Sequence, residues 1–221
     1  MQDTFQRVGS AESLLATNQV LRNTYMLLSM TLLFSAAMAV VAMRLNLPYF
    51  GLWTLLGYFG LLFLTSALRN SVWGIASVFA LTGFMGLTMG PILNMYLSVY
   101  SNGSQLVAMA MGGTGLVFLT MSGIALTTKK DLSFMGKFLV VGILVAFLAG
   151  LAAYFFKIPA LSLAVSAMFV ALCSGLIMFE TQQIIRGGER NYIMATVTLF
   201  VSIYNIFSGL LHLLGFALGE D

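Results

Sequence analysis

The chain has 221 residues, of which 60% are hydrophobic and only 8% are charged. Soluble globular domains carry about 25% charged residues, so this composition excludes a soluble domain and predicts an integral membrane protein. The net charge of +3 is small and gives no reason to expect nucleic-acid binding. The single cysteine cannot form an intrachain disulfide. Because the first 20 residues contain no apolar stretch, we expect no cleavable signal peptide.

The charged residues divide the chain into apolar intervals. A spanning helix needs roughly 20 mostly apolar residues. The interval from Arg69 to Lys129 is too long for one span and is divided by the polar stretch at residues 98–104, which gives seven spans in all. The spans are predicted over residues 23–43, 49–68, 72–97, 104–127, 136–156, 159–185 and 191–217. We therefore expect an all-α membrane protein, with a polar tail over residues 1–20 and a seven-helix transmembrane domain over residues 21–221.

The basic residues favour one orientation in the membrane. With the N-terminus in the cytoplasm, eight Lys and Arg residues are cytoplasmic and only two, Arg44 and Lys157, lie outside. Cytoplasmic loops of membrane proteins are enriched in Lys and Arg. The sequence therefore predicts a cytoplasmic N-terminus and, with seven spans, a C-terminus on the other side.

Polar or small residues recur along the last predicted span at spacings of three and four. They are Asn191, Ala195, Thr198, Ser202, Asn205, Gly209 and His212. These spacings place them on one face of a helix, and such a face needs protein or water beside it rather than lipid. Ser202 and Asn205 either bond neighbouring helices, which is the commoner arrangement, or line a hydrophilic path. His212 either lies at the interface, as single histidines near helix ends usually do, or senses external pH.

Glu180 is the only acidic residue inside an apolar span, about 9 Å from the predicted cytoplasmic end of span six. A charge at the bilayer centre costs roughly 2.5–3.5 kcal/mol on insertion scales and less near a helix end. One interpretation is that Glu180 pairs with a basic residue such as Arg69, or extends to the membrane surface. The other is that Glu180 is a titratable gate with Arg69 as its partner.

The residues that usually carry enzyme chemistry are nearly absent. One histidine and one cysteine, with no acid near either, leave no catalytic triad. No metalloprotease, Walker or dinucleotide-binding motif occurs. Calcium sites use six to eight oxygens, several of them from carboxylates, and the spans offer one carboxylate. We expect no enzyme, no cofactor and no tight metal site.

Four segments carry a resemblance that covers nearly the whole chain. They are KKDLSF at Lys129–Phe134, FETQ at Phe179–Gln182, IRGGERNY at Ile185–Tyr192 and SIYNIF at Ser202–Phe207. With the seven spans, they resemble the transmembrane Bax-inhibitor-motif family and most closely its bacterial YccA-like branch. The resemblance implies a seven-helix bundle with the last helix at its centre. It also implies a protein of the bacterial inner membrane, with a cytoplasmic N-terminus and a periplasmic C-terminus.

The family implies two functions. Its YccA-like members modulate FtsH, a membrane-anchored AAA protease, as inhibitors that act like slow substrates. Other members are pH-sensitive calcium leak channels that use an aspartate on each of spans six and seven. Here those positions are matched by Glu180 and Ser202, and a proton shared between two acids needs two acids. Protease modulation is therefore the first expectation, and a pH-sensitive calcium or cation leak is the alternative.

The N-terminal tail has two interpretations. Residues 10–20 are predicted to form a short interfacial helix that leads into span one. Alternatively, the tail is a grip for a cytoplasmic partner, which the resemblance implies is FtsH with its associated membrane complex. The candidate grip residues are Gln2, Phe5, Leu14 and Leu15.

Overall fold

The computed structural model describes the backbone of residues 2–128 and 130–220, and the side chains from residue 18 onward. Within these ranges the chain forms seven α-helices and no strand. The helices are α1 (Gln2–Arg44), α2 (Trp53–Leu68), α3 (Trp73–Val99), α4 (Gly103–Thr127), α5 (Ser133–Phe156), α6 (Pro159–Ile185) and α7 (Tyr192–Leu218). The predicted all-helical membrane bundle is confirmed.

Six helices are long and apolar enough to cross a membrane, and α2 is the shorter exception. Its 16 residues extend about 24 Å, less than the hydrocarbon thickness of about 30 Å. The second span was predicted from residue 49, whereas α2 begins at Trp53. Gly51 has a φ of +56°, a left-handed conformation that an α-helix does not accommodate, so the chain turns there before the helix starts.

α1 runs without a break from Gln2 to Arg44, and its apolar part begins at Asn18. The short helix predicted for residues 10–20 is therefore part of a longer helix that continues into the first span. The side chains of the candidate grip residues Gln2, Phe5, Leu14 and Leu15 lie outside the described residues.

α7 lies at the centre of the bundle. No residue between Tyr192 and Gly215 is exposed, whereas every other helix has exposed positions. α7 packs against α1, α3, α4 and α6, while α2 packs mainly on α3 and α5 on α6. The central helix is thus enclosed on several sides, and α2 and α5 form the periphery.

α1 and α3 pack closely because small residues face each other between them. A Cβ atom added at Gly86 would collide with the carbonyl oxygen of Ser35, and one added at Gly90 would collide with the side chain of Ala42. Small residues allow two helix backbones to approach in a membrane. Next to this contact, Leu28 and Leu81 join Phe200 of α7 in the main apolar core.

The described basic residues divide unequally between the two ends of the bundle. We call one end the basic end; it carries Arg22, Arg69, Lys130, Lys137, Arg186 and Arg190. The opposite end carries Arg44 and Lys157. Hydrogen bonds between loops that are distant in sequence join the helices at both ends.

Candidate functional site

The turn between α6 and α7 closes the basic end. Gly187 has a φ of +72°, which glycine adopts without steric cost. Its N–H donates to the carbonyl of Ile184 at 3.1 Å, and the N–H of Gly188 donates to the carbonyl of Gln183 at 2.9 Å. This pairing is a Schellman turn, which ends α6 and directs the chain into α7.

Two side chains at the end of α6 hold the loop between α4 and α5. Gln182, 4% exposed, donates to the carbonyl of Lys130 at 2.8 Å and accepts the N–H of Leu132 at 2.8 Å. Arg186 also donates to the carbonyl of Lys130 at 2.8 Å and forms an ion pair with Asp131 at 3.4 Å. These contacts, which we call the loop tie, hold the loop between α4 and α5 against the end of α6.

Asp131, outside the spans, takes part in the loop tie as a carboxylate. It accepts the N–H of Ser133 at 2.9 Å. Hydrogen bonding from the side chain and backbone of Ser133 lowers the pKa of Asp131, and the Arg186 guanidinium lowers it further. The ion pair between Asp131 and Arg186 is therefore present at neutral pH.

Asn191 caps the first turn of α7. Its side-chain oxygen accepts the N–H groups of Ile193 and Met194, each at 3.1 Å. Its amide nitrogen donates to the carbonyl of Arg69 at 3.0 Å and to the side chain of Asn70 at 2.9 Å. One residue therefore starts the central helix and ties it to the end of α2.

Glu180 lies near the basic end of α6 and is 8% exposed. No described residue donates a hydrogen bond to it or forms an ion pair with it within 4.0 Å, Arg69 included. The adjacent Thr181 is 3.3 Å from the hydroxyl of Tyr25 on α1. The structure thus leaves Glu180 buried and without a partner in the described part of the chain.

The polar face of α7 is largely satisfied by its own helix. Ser202, fully buried, donates to the carbonyl of Thr198 at 2.8 Å, and Asn205 donates to the carbonyl of Val201 at 2.8 Å. Thr198 likewise donates to the carbonyl of Met194 at 3.1 Å. Hydroxyls in helices commonly bond the carbonyl four residues earlier, so these donors need no neighbouring helix.

A cavity of about 610 Å³ lies against this polar face, between α2 and α5. We call it the lateral cleft. Thr198, Ser202 and Asn205 form part of its wall, together with apolar side chains of α2, α3, α5 and α6. Of the candidate residues, Ser202 and Asn205 therefore share one cavity, whereas Glu180 and Arg69 do not line it.

A second cavity, of about 1120 Å³, lies at the opposite end between α3, α7 and the loop that joins α1 to α2. Ser208 and His212 of α7 line it. The hydroxyl of Ser166 donates to the carbonyl of Ser162, and it lies 2.8 Å from Nδ1 of His212. Ser166 of α6 and His212 of α7 are therefore within hydrogen-bond distance, and which of the two donates depends on the tautomer of His212.

The last residues of the chain are tied to the loop between α3 and α4. Asn102 donates to the carbonyl of Leu218 at 2.7 Å and accepts the N–H of Glu220 at 3.3 Å. Ser101 donates its N–H to the carbonyl of Glu220 at 2.8 Å. The opposite end of α7 is therefore also hydrogen-bonded to a neighbouring loop.

Sequence reasoning missed the roles of Gln182 and Asn191. Gln182 falls within a motif that carried the family resemblance, and its partners lie 50 and 52 residues away, a distance that no local pattern reveals. Asn191 had a signal that could have been used, because asparagine directly before an apolar helix is a preferred N-cap.

A family model described as Inhibitor of apoptosis-promoting Bax1 matches residues 17–218. The chain is 54% identical over 206 residues to the Modulator of FtsH protease YccA of Escherichia coli K12, covering 93% of each protein. The Inner membrane protein YccA of Escherichia coli O6:H1 matches equally well. A protein of Pseudomonas aeruginosa, described as uncharacterized, is 52% identical over 203 residues, which are 91% of each chain.

Proposed function

This chain belongs to the Bax inhibitor family, and from that membership we propose that it is an inner-membrane modulator of the FtsH protease. The observation that carries the proposal is the 54% identity to the Escherichia coli modulator over 93% of both chains. The family model covers residues 17–218, which include the apolar part of α1 and all of α2 to α7.

The mechanism we propose is that of a slow substrate. The N-terminal tail is gripped, and α1 is the first element that the protease must pull from the bundle. α1 packs against α3, α6 and α7, and the close approach of Gly86 to Ser35 contributes to that packing. Extraction must break this contact before any other span is released, so the protease is held for as long as the bundle stays folded.

The hydrogen bonds at both ends support resistance to extraction. Asn191 joins α7 to the end of α2, and Gln182 joins α6 to the loop before α5. At the opposite end, Asn102 holds the residues that follow α7. These hydrogen bonds must be broken before the helices separate, which is expected to lengthen the time that a protease needs to unfold the bundle.

We place the basic end in the cytoplasm and the opposite end in the periplasm. Six described basic side chains lie at one end and two at the other, and positive residues favour the cytoplasmic side. The tail at residues 1–20 then lies on the cytoplasmic side as well. Cysteine accessibility to a membrane-impermeant reagent at Asn18 and at Lys157 tests this orientation.

Co-purification from native membranes tests the proposed partner. The protein with a C-terminal tag is isolated in mild detergent, and bound proteins are identified by mass spectrometry. FtsH is expected with the intact chain and is expected to be lost when residues 2–15 are deleted. Equal recovery of FtsH with both chains would remove the tail from the mechanism, and absence of FtsH from both would contradict the proposal.

The alternative, a pH-sensitive cation leak, has one observation in its favour. Glu180 is buried, and no described residue hydrogen-bonds to it or pairs with it. Calcium flux into vesicles that contain the purified protein, compared with Glu180→Gln, tests it. Flux that depends on pH only in the unaltered protein would support the leak, and equal flux in both would exclude Glu180 as its gate.

A further inference from the structure

The lateral cleft lies between α2 and α5, two helices that make little contact with each other. α2 packs mainly on α3 and α5 on α6, so a gap remains between them. Phe59 of α2 and Phe147 of α5 meet edge to face across this gap, with ring centroids 5.8 Å apart. Val140 and Leu144 line the cleft and are 68% and 56% exposed, so the cleft is open to the surrounding bilayer.

The cleft extends from the central part of the bundle toward its basic end. Its α5 wall runs from Val140 to Phe147, near the middle of that helix, and its α7 wall runs from Met194, in the first turn, to Asn205. A buried water usually makes two to four hydrogen bonds, but the hydroxyls of Thr198 and Ser202 and one N–H of Asn205 already donate within α7, and most of the other lining side chains are apolar. Hydrocarbon therefore suits this space better than water does.

The volume limits what the cleft can hold. At about 610 Å³ it falls within the range of small-ligand pockets, about 300–1,000 Å³. A transmembrane helix is at least about 10 Å across with its side chains, so even two turns of one would exceed this space. A single flexible hydrocarbon chain fits it, with aromatic rings and leucines as the contacting surface.

The faces of α5 and α2 that line the cleft each carry an exposed cation at the basic end. On α5, Lys137 precedes Val140 and Leu144 by three and seven positions, so the three residues share one face. On α2, Arg69 follows Leu62 by seven positions on the face that lines the cleft. Within the described residues neither cation forms an ion pair. They lie roughly 5–10 Å beyond the edge of the cleft along the helix axes.

We propose that the lateral cleft binds one acyl chain of an anionic phospholipid, with the lipid phosphate held by Arg69 and Lys137. The apolar cleft matches the chain, and the two cations complement the negative headgroup at the nearby surface. A neutral lipid would satisfy only the first of these contacts. The proposal does not depend on protease modulation, because it rests on the cleft and the two cations alone.

Native mass spectrometry of the intact protein in detergent tests the headgroup contact. The probes are phosphatidylglycerol and phosphatidylcholine with identical chains, added in competition. The unaltered protein is expected to retain phosphatidylglycerol preferentially. Each of Arg69→Gln and Lys137→Gln should weaken this retention about fivefold, because a surface cation contributes about 1 kcal/mol to anionic lipid binding. The matched control is Arg22→Gln, which removes an exposed cation from the same end on α1, a helix that does not line the cleft.

A second pair of variants tests the chain contact. Leu144→Trp places a larger side chain at the mouth of the cleft and should lower lipid retention. Val145→Trp, on a neighbouring exposed position outside the cleft, should not.

With the unaltered protein, phosphatidylglycerol that carries a photoreactive group at mid-chain should label peptides of α2, α5 or α7. Equal retention of both lipids, equal loss with Arg22→Gln, or labelling confined to α4 would each overturn the proposal.

Discussion

The side-chain amide of Asn191 donates a hydrogen bond to the carbonyl oxygen of Arg69 at 3.0 Å, while the same side chain caps α7 through its oxygen. The central helix and the peripheral α2 are therefore joined through one residue. Because α2 is short and packs mainly on α3, this contact also limits how far its end can move from the bundle.

Asn191→Ala should lower the free energy of unfolding by about 1–2 kcal/mol, because it removes an N-cap and two further hydrogen bonds. Asn191→Asp keeps the capping oxygen and loses the amide donors. It should therefore lower the free energy of unfolding less than Asn191→Ala does, and it should free only the end of α2. Unfolding in mixed micelles measures both values. Asn18→Ala, at an exposed position of α1, is the control, and an equal loss there would refute the assignment.

Gly86→Ala should destabilise the protein by about 1–3 kcal/mol, since the methyl group added on α3 overpacks the contact with the carbonyl of Ser35 on α1. Gly112→Ala makes the same chemical change on α4, where no atom lies within 4 Å of the added carbon. The control should be neutral or slightly stabilising, because alanine has the higher helix propensity. Equal melting temperatures for the two variants would contradict the packing described for α1 and α3.

The contacts of the loop tie should weaken in acid and should not change between neutral and mildly alkaline pH. The pKa of Asp131 is lowered in the folded protein, first by Ser133 and then by Arg186. A lowered carboxyl pKa contributes stability that is present above the usual aspartate pKa of about 3.9 and is lost as the pH falls through the folded value. Hydrogen exchange at Leu132 and Ser133, corrected for intrinsic rates, should therefore be constant from pH 8 to about 5 and rise only in stronger acid.

Asp131→Asn is the matched variant for the pH prediction. It cannot form the ion pair with Arg186 at any pH, so the acid-dependent rise in exchange should disappear. The hydrogen bonds from Gln182 to the loop remain in this variant, which keeps Leu132 partly protected. A rise that persists in Asp131→Asn would assign the pH response to another group.

Much of the helical architecture could be predicted from the sequence because charged residues mark the ends of the apolar spans. The predicted sixth span, residues 159–185, coincides with α6. The start of α2 was missed, since the turn depends on the conformation of Gly51 rather than on hydropathy. The lateral cleft could not be predicted, because it results from which pairs of helices fail to touch.

The polar face of α7 shows both the strength and the limit of periodicity. The spacing correctly placed Ser202 and Asn205 on one face, and both line the same cavity. It could not show that both side chains donate to their own helix, or that Asn191 on the same face is a cap. The sequence shows that Glu180 is an acid inside a predicted span, but its burial without a partner among the described residues depends on how the helices pack.

The measurement that tests the central proposal most directly is the rate at which purified FtsH degrades a membrane substrate in proteoliposomes, with and without this protein. The intact protein is expected to slow degradation and to be degraded slowly itself. Deletion of residues 2–15 should restore the substrate's rate while leaving the unfolding temperature unchanged, and Gly86→Ala should be degraded faster than Gly112→Ala. A substrate rate that is unaffected by the intact protein would contradict the account.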